Sequence, residues 1–122
     1  MIGEIVRVII DRPLGSYHPE HKELYYPINY GYIDGIFSFD KEEQDAYVLG
    51  LNEPVDEFTG VIIAIVHRLN DIEDKWVVAP IDKSFTKSEI IEMIRFQEQY
   101  FQSDVITEAD MEVKNIMIER EQ

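Results

Sequence analysis

Short apolar segments separated by polar turns fill the first two thirds of the chain. Stretches rich in β-branched and aromatic residues predict strands. They comprise residues 4–10, 25–33, 45–51, 61–67 and 76–79. The fourth stretch is almost continuously apolar, which is typical of a strand buried on both faces. The Asp34-Gly35 pair predicts a turn directly after the second stretch.

The hydrophobic period changes near residue 86. Thr86 and Glu89 have the spacing of a capping box, in which two side chains satisfy the first backbone N–H groups of a helix. Apolar residues then recur at helical spacing. The pattern predicts one amphipathic helix over residues 86–102, packed against the strands. The tail from residue 105 is mixed, and residues 113–118, which include Val113, Ile116 and Ile118, predict a last edge strand.

Five or six short strands followed by one helix predict a mainly β protein with one amphipathic helix. The arrangement favours a small barrel or curled sheet with the helix on one side. The 122 residues fit one domain, 1–122, with a core of about 4–102 and a tail of 103–122. No repeat or low-complexity linker divides the sequence.

Acidic residues dominate the charge of the chain. Twenty-five Asp and Glu face eleven Lys and Arg, for a formal net charge of −14. Such a surface disfavours nucleic acid and anionic lipid as partners and is compatible with divalent cations. Composition alone is explained more simply by solubility. The chain has no Cys, no apolar run of membrane-spanning length and no signal-peptide pattern at its N-terminus, so we expect a cytoplasmic protein.

Two acidic segments are candidate cation sites. Residues 40–45 read Asp-Lys-Glu-Glu-Gln-Asp, and residues 71–74 read Asp-Ile-Glu-Asp, each beside an apolar strand. Converging carboxylates bind hard cations through oxygen, although either segment alone is explained as well by a solvated turn. His18 and His21 flank a proline, which argues against a helical metal pair and favours solvated loop residues.

The most specific motif is Tyr26-Pro27-Ile28-Asn29-Tyr30-Gly31-Tyr32-Ile33. A twisted strand with core rings and a bulge at Gly31 explains part of it. The whole string, followed by the acidic segment that begins at Asp40, resembles the soluble, family I type inorganic pyrophosphatases. The segment of residues 71–80, with its Lys75 and closing Ala-Pro, is similar to a further motif of that family. Arg7 stands where the family has a phosphate-binding lysine.

The resemblance implies a small five-stranded, OB-like barrel of the inorganic pyrophosphatase type. It implies hydrolysis of pyrophosphate to two phosphates by a metal-activated water, with two or more Mg²⁺ ions and a homo-oligomeric assembly. The implied metal ligands are Asp40, Asp45, Asp71 and Glu73. The implied catalytic residues are Glu42, as the base, and Tyr30. The implied substrate-binding residues are Arg7, Tyr26, Lys75 and Tyr100.

Departures from the family pattern leave alternatives open. Ile9 replaces an expected glutamate, Phe101 replaces an expected lysine, and Glu42, Glu43 and Glu73 replace an aspartate, a proline and an aspartate. The basic residue expected before Tyr26 has three imperfect candidates: Arg12, His18 and Lys22. A non-catalytic or altered-specificity phosphate- or metal-binding protein is therefore an alternative. A single-stranded nucleic-acid module is a third possibility, but the acidic charge opposes it.

Overall fold

The computed structural model describes residues 1–70 and 73–112. The elements are β1 (Ile5–Arg12), β2 (Asn29–Phe37), β3 (Glu43–Val48), β4 (Glu57–Arg68), β5 (Asp74–Ala79), α1 (Lys87–Glu98) and β6 (Ser103–Thr107). The mainly β class and the amphipathic helix, α1, are thus confirmed, and residues 108–112 are also helical. The predicted edge strand at 113–118 lies outside the described residues. In the described part of the chain, no helix has the length and apolarity required to cross a membrane.

The strands close into a barrel. Neighbouring strands follow the order β1-β2-β3-β5-β4, and β1 also pairs with β4, which joins the two ends of the order. β3 and β5 run parallel, whereas the other pairs are antiparallel. β4 pairs with three strands, β1, β5 and β6, and its 12 residues make it long enough to do so. Its first half pairs with β1 and its second half with β6, which adds a sixth strand outside the five-stranded barrel.

Two groups of buried side chains hold the barrel and the helix together. One lies among the strands and includes Val8, Ile33 and Ile62. The other joins the tyrosines of the barrel to Ile90 and Ile94 of α1. The rings of Tyr26, Tyr30 and Tyr47 pack edge-on or tilted against one another and against Phe96, with centroids 5.1–5.9 Å apart. Such aromatic contacts stabilise a core beyond the area that they bury.

The capping box begins α1 as predicted. The Thr86 hydroxyl accepts from the Glu89 N–H, and the Glu89 carboxylate accepts from the Thr86 N–H. The helix ends at Glu98 instead of 102. Residues after it are extended because Ser103–Thr107 pair with the second half of β4, and backbone hydrogen bonds to a strand replace those of another helical turn.

The predicted turn at Asp34-Gly35 is wrong. β2 continues through both residues to Phe37, and Gly35 adopts a φ of +76° within the strand. The β2–β3 register shifts between Tyr32 and Phe37, so the glycine provides a bulge and not a reversal. The chain reverses at residues 38–42 instead, where Lys41 has a φ of 70°.

Replacing Gly31 with Ala is expected to strain the β1–β2 pair. A Cβ at this position would lie 1.8 Å from the carbonyl oxygen of Ile9 and 2.9 Å from the Cα of Ile10. Backbone cannot yield as a flexible side chain does, so we expect a loss of about 3 kcal/mol in the free energy of unfolding, measured with urea. Gly3→Ala is the control, because its site is open and only its positive φ opposes alanine, at about 1 kcal/mol. Equal losses in the two variants would contradict the close approach.

Candidate active site

A cavity of about 500 Å³ opens between the barrel and the C-terminal end of α1. Its walls come from the end of β1, the loop that precedes β2, strands β2 to β5 and the residues around the end of the helix. The structure brings five of the residues predicted from sequence to this cavity. They are Tyr30, Asp45, Glu73, Lys75 and Tyr100.

Lys75 lies between two carboxylates in the cavity wall. Its Nζ lies 2.7 Å from Asp45 Oδ2 and 3.1 Å from Glu73 Oε2, and its side chain is only 5% exposed. The Tyr30 hydroxyl donates to the same Asp45 oxygen at 2.8 Å. Burial, followed by the neighbouring Asp45 carboxylate, raises the pKa of Tyr30 well above its ordinary value. Tyr30 therefore remains a protonated donor at neutral pH and fixes the orientation of Asp45.

Arg12 brings a second cation to the cavity from the end of β1. Its Nη1 donates to the Tyr26 hydroxyl at 2.8 Å, and its guanidinium lies over the Tyr26 and Tyr30 rings. Tyr26 is fully buried and in turn donates to Gln97 Oε1 at 2.8 Å. Tyr26 thus does not line the cavity itself but orients a residue that does. Within residues 1–70 and 73–112, Arg12 forms no salt bridge, so its charge is available to an anion.

Arg68 provides a third cation, paired with Glu98. Its Nε and Nη2 donate to the two oxygens of Glu98 at 3.1 and 2.7 Å, and both side chains are about nineteen-twentieths buried. Tyr47 and Ser103 also donate to this carboxylate. Burial alone would raise the pKa of Glu98, but the hydrogen bonds from Arg68, Tyr47 and Ser103 outweigh it and hold the pKa below its ordinary value.

The loop before β2 covers one side of the cavity with His18 and His21. His18 Nδ1 accepts hydrogen bonds from the backbone N–H groups of Glu20 and His21, at 3.0 and 3.1 Å. Partial burial, followed by the charge of Arg12, lowers the pKa of His18. His18 is therefore neutral near pH 7. Both rings border the cavity, although the sequence indicated only solvated loop residues.

The other predicted residues lie elsewhere. Arg7 is on the barrel surface, paired with Asp34 at 2.8 Å and with Glu57. Asp40 accepts from the Ser38 hydroxyl and from the Glu42 N–H within the β2–β3 turn, and the Ser38 hydrogen bond is the main cause of its lowered pKa. The structure does not bring these three predicted residues, Arg7, Asp40 and Glu42, to the cavity wall. Asp71 lies outside the described residues. Their proposed roles stay predictions.

The donor chemistry of the cavity fits Mg²⁺ in part. This ion is commonly held by one or two carboxylates, with water and substrate phosphate oxygens completing its octahedron. Asp45 and Glu73 are oxygen donors of this kind. Across the described ranges 1–70 and 73–112, no three or more His, Cys, Asp or Glu side chains are grouped as a metal site. The described residues therefore fit a hydrated ion shared with substrate, and not a cage of protein ligands.

Sequence reasoning missed the polar residues on the buried side of α1. Gln97 and Glu98 continue the stripe of Ile90 and Ile94 at the spacing expected for core residues. A polar side chain at such a position requires a buried hydrogen-bond partner, so the sequence could have predicted that Gln97 and Glu98 have one. The partner of Glu98, Arg68, directly follows the apolar run of β4 but carries no motif of its own.

Solved structures of inorganic pyrophosphatases share this fold. The enzyme from Ehrlichia chaffeensis is 18% identical and superposes with a TM-score of 0.63 over 85% of each chain. The enzyme from Helicobacter pylori is 17% identical, with a TM-score of 0.63 over 87% of this chain and 86% of that one. For Thermus thermophilus the identity is 16% and the TM-score 0.55, over 89% and 86%. The predicted barrel of the inorganic pyrophosphatase type is therefore confirmed. Neither a protein-family model nor a curated protein matches the sequence.

Proposed function

We propose that this protein hydrolyses inorganic pyrophosphate to two phosphates, with Mg²⁺ as its cofactor. The observation that supports this most directly is the convergence of Tyr30, Asp45, Glu73 and Lys75 on one cavity. These residues were selected from sequence by resemblance, yet they come from three strands and the segment before β5. Their meeting around a barrel shared with solved inorganic pyrophosphatases supports a common site.

The cations of the cavity suit a dense anion. Pyrophosphate requires charge neutralisation and positioning more than covalent help from a protein. Arg12 has no salt bridge in the described part of the chain, and its planar guanidinium matches two phosphate oxygens at once. Lys75 holds Asp45 and Glu73 in fixed positions and adds a positive charge beside them. Tyr100, which is 69% exposed, offers its hydroxyl at the mouth of the cavity.

Magnesium, when bound, would offset phosphate charge and lower the pKa of a water molecule. Asp45 and Glu73 are the cavity-lining residues that would hold it, with Asp40 and Asp71 as further ligands predicted from the sequence. Tyr30 and Lys75 orient the Asp45 carboxylate. Glu42 remains the predicted base, placed on the β2–β3 turn next to these strands. A homo-oligomer in the cytoplasm completes the proposal.

A second candidate function is phosphate binding without turnover. It is supported by the hydrogen bonds that the Lys75 ammonium donates to both Asp45 and Glu73, because these carboxylates are then already paired with a cation. A protein that only binds phosphate needs the arginines of the cavity and no metal cluster. The two functions differ in one measurable quantity, the rate of phosphate release.

The test is release of phosphate from pyrophosphate by the purified protein, with Mg²⁺ and with excess EDTA. The proposal expects rapid release that depends on the metal. A folded protein that binds phosphate but releases none above the uncatalysed rate would refute hydrolysis and favour the second candidate.

Arg12→Gln is expected to weaken substrate binding, while Arg7→Gln is not. Both arginines lie on β1, but Arg12 lines the cavity and Arg7 is engaged with Asp34 and Glu57 on the surface. Loss of one charge-assisted phosphate contact should raise KM about ten- to a hundredfold. Steady-state kinetics of the two variants is the measurement. A larger rise in KM for Arg7→Gln would restore the role that the family resemblance assigns to that residue.

A further inference from the structure

The guanidinium of Arg68 is held along one edge and on one face. Glu98 accepts from Nε and Nη2, as described above, and the Phe101 ring lies 3.7 Å from the central carbon. The carboxylate that holds Arg68 is itself held by Tyr47 and Ser103. An arginine restrained in this way has little conformational freedom left to lose when it binds a ligand.

One edge of this guanidinium is not used. Nη1 lies 3.8 Å from Glu73 Oε2, too far for a hydrogen bond, and in the described ranges of the chain it donates to no other acceptor. Both Arg68 and Glu73 line the cavity. Nη1 is not among the described side-chain atoms that are buried without a partner, so it is open to the cavity. A ligand oxygen in the cavity can therefore reach it and replace solvent as its acceptor.

We propose that Nη1 of Arg68 binds a phosphate oxygen in the cavity, in a subsite formed by Arg68, Glu98 and Phe101. The inference rests on the proposed function for the identity of the anion, and it assigns a role to a strand-β4 residue outside the motifs of the sequence. The chemistry is that of a charge-assisted hydrogen bond from a planar fork to a phosphoryl group. Glu98 and Phe101 are positioning residues for this contact.

The subsite also explains the aromatic residue at position 101. A ring that packs flat on a guanidinium stabilises it and shields one of its faces from water. The cavity thus receives positive charge at this point from Arg68, whose aliphatic stem and guanidinium are 95% buried. Buried ion pairs often contribute little to stability, because neutral residues can replace them at little cost. The location of Arg68 at a cavity therefore favours a role in binding.

The experiment compares two paired substitutions. Arg68→Gln with Glu98→Gln removes the buried pair together, so neither charge is left alone in the interior. Arg95→Gln with Glu92→Gln is the matched control, because this pair has the same residue types, lies on the exposed side of α1 and is joined at 2.9 Å. The probes are inorganic phosphate, followed by calorimetry with Mg²⁺ present, and pyrophosphate, followed by steady-state kinetics.

We expect the first double variant to bind phosphate about ten- to a hundredfold more weakly than the unmodified protein, the range for one charge-assisted contact. KM for pyrophosphate should rise by a similar factor, with kcat changed much less. The control should match the unmodified protein. A folded Arg68/Glu98 double variant with unchanged affinity for phosphate overturns the inference, as does an unmodified protein that binds neither anion.

Arg68→Lys gives a second route if the double variant does not fold. Lysine keeps the charge but loses the two-pronged contact with Glu98 and the flat packing on Phe101. Weaker phosphate binding by this variant supports the subsite, and unchanged binding overturns it. If the unmodified protein binds phosphate through Arg68 but hydrolyses no pyrophosphate, the proposed hydrolysis fails while the subsite stands.

Discussion

Replacing Asp45 with Asn is expected to reduce pyrophosphate hydrolysis about a hundredfold or more. The Asp45 carboxylate receives the Tyr30 hydroxyl and the Lys75 ammonium on one oxygen, and it faces the cavity where the cofactor is proposed to bind. An amide has the same shape but no negative charge, so it attracts neither the Lys75 ammonium nor the proposed Mg²⁺ as strongly. Weaker attraction lets the groups that Asp45 holds shift, and a shift of about 1 Å is enough for a loss of this size. Phosphate release under saturating Mg²⁺ measures it.

Asp74→Asn is the matched control for this change. Asp74 is one residue from Lys75, but its carboxylate pairs with His67 at the surface and does not line the cavity. We expect near-normal activity from it. Retention of full activity by Asp45→Asn would remove Asp45 from the reaction and leave Glu73 as the remaining proposed metal ligand that lines the cavity. Circular dichroism of both variants separates a catalytic effect from unfolding.

Replacing Glu98 with Ala should be among the most destabilising single changes in the protein. The substitution removes both hydrogen bonds that Arg68 makes to a carboxylate and leaves it buried beside Glu73, whose Oε2 is 3.8 Å from Nη1. It also removes the acceptor of Tyr47 and Ser103. Breaking a buried ion pair from one side costs about 3–5 kcal/mol. Urea denaturation measures this loss, and Glu92→Ala on the exposed face of α1 is the control, for which we expect less than about 1 kcal/mol.

The same pair gives stability a defined dependence on pH. The pKa of Glu98 is lower in the folded protein than in the unfolded chain, so its contribution is fully present above its unfolded pKa, about 4.3. The contribution is lost as the pH falls through the lower, folded value. The unmodified protein should therefore lose stability in this acidic range, and Glu98→Ala should lose less over the same interval. Parallel curves for the two proteins would show that Glu98 is not the group responsible.

Local patterns in the sequence predict the elements of this fold well. The capping box sets the first residue of α1, and alternating or continuous apolar runs identify five of the strands. The bulge at Gly35 was not predicted, because a glycine within a strand and a glycine in a turn produce the same local pattern. β6 was missed because its pairing with β4 is a long-range contact with no local counterpart.

The site is less accessible to sequence reasoning than the fold. Tyr30, Asp45, Glu73, Lys75 and Tyr100 were selected by motif, and the structure brings all five to the cavity. Arg68 was not selected, because its partner Glu98 is 30 positions away and the pair exists only when α1 packs against β4. The burial that makes this pair informative is a property of the folded chain. The only local indication of such a pair in the sequence is a charged residue within the apolar stripe of a helix, as at Glu98.

The closure of the barrel by β1 and β4 has a kinetic consequence. Arg7 and Glu57, on facing strands of this closing pair, are 50 positions apart, and Tyr47 and Glu98, which join barrel and helix, are 51 apart. Closing these long loops lowers the conformational entropy of the chain before the stabilising contacts between their ends are formed. Folding is therefore expected on the millisecond-to-second scale of topologies rich in distant contacts, and the cavity would form only in the last steps, when all its walls are in place.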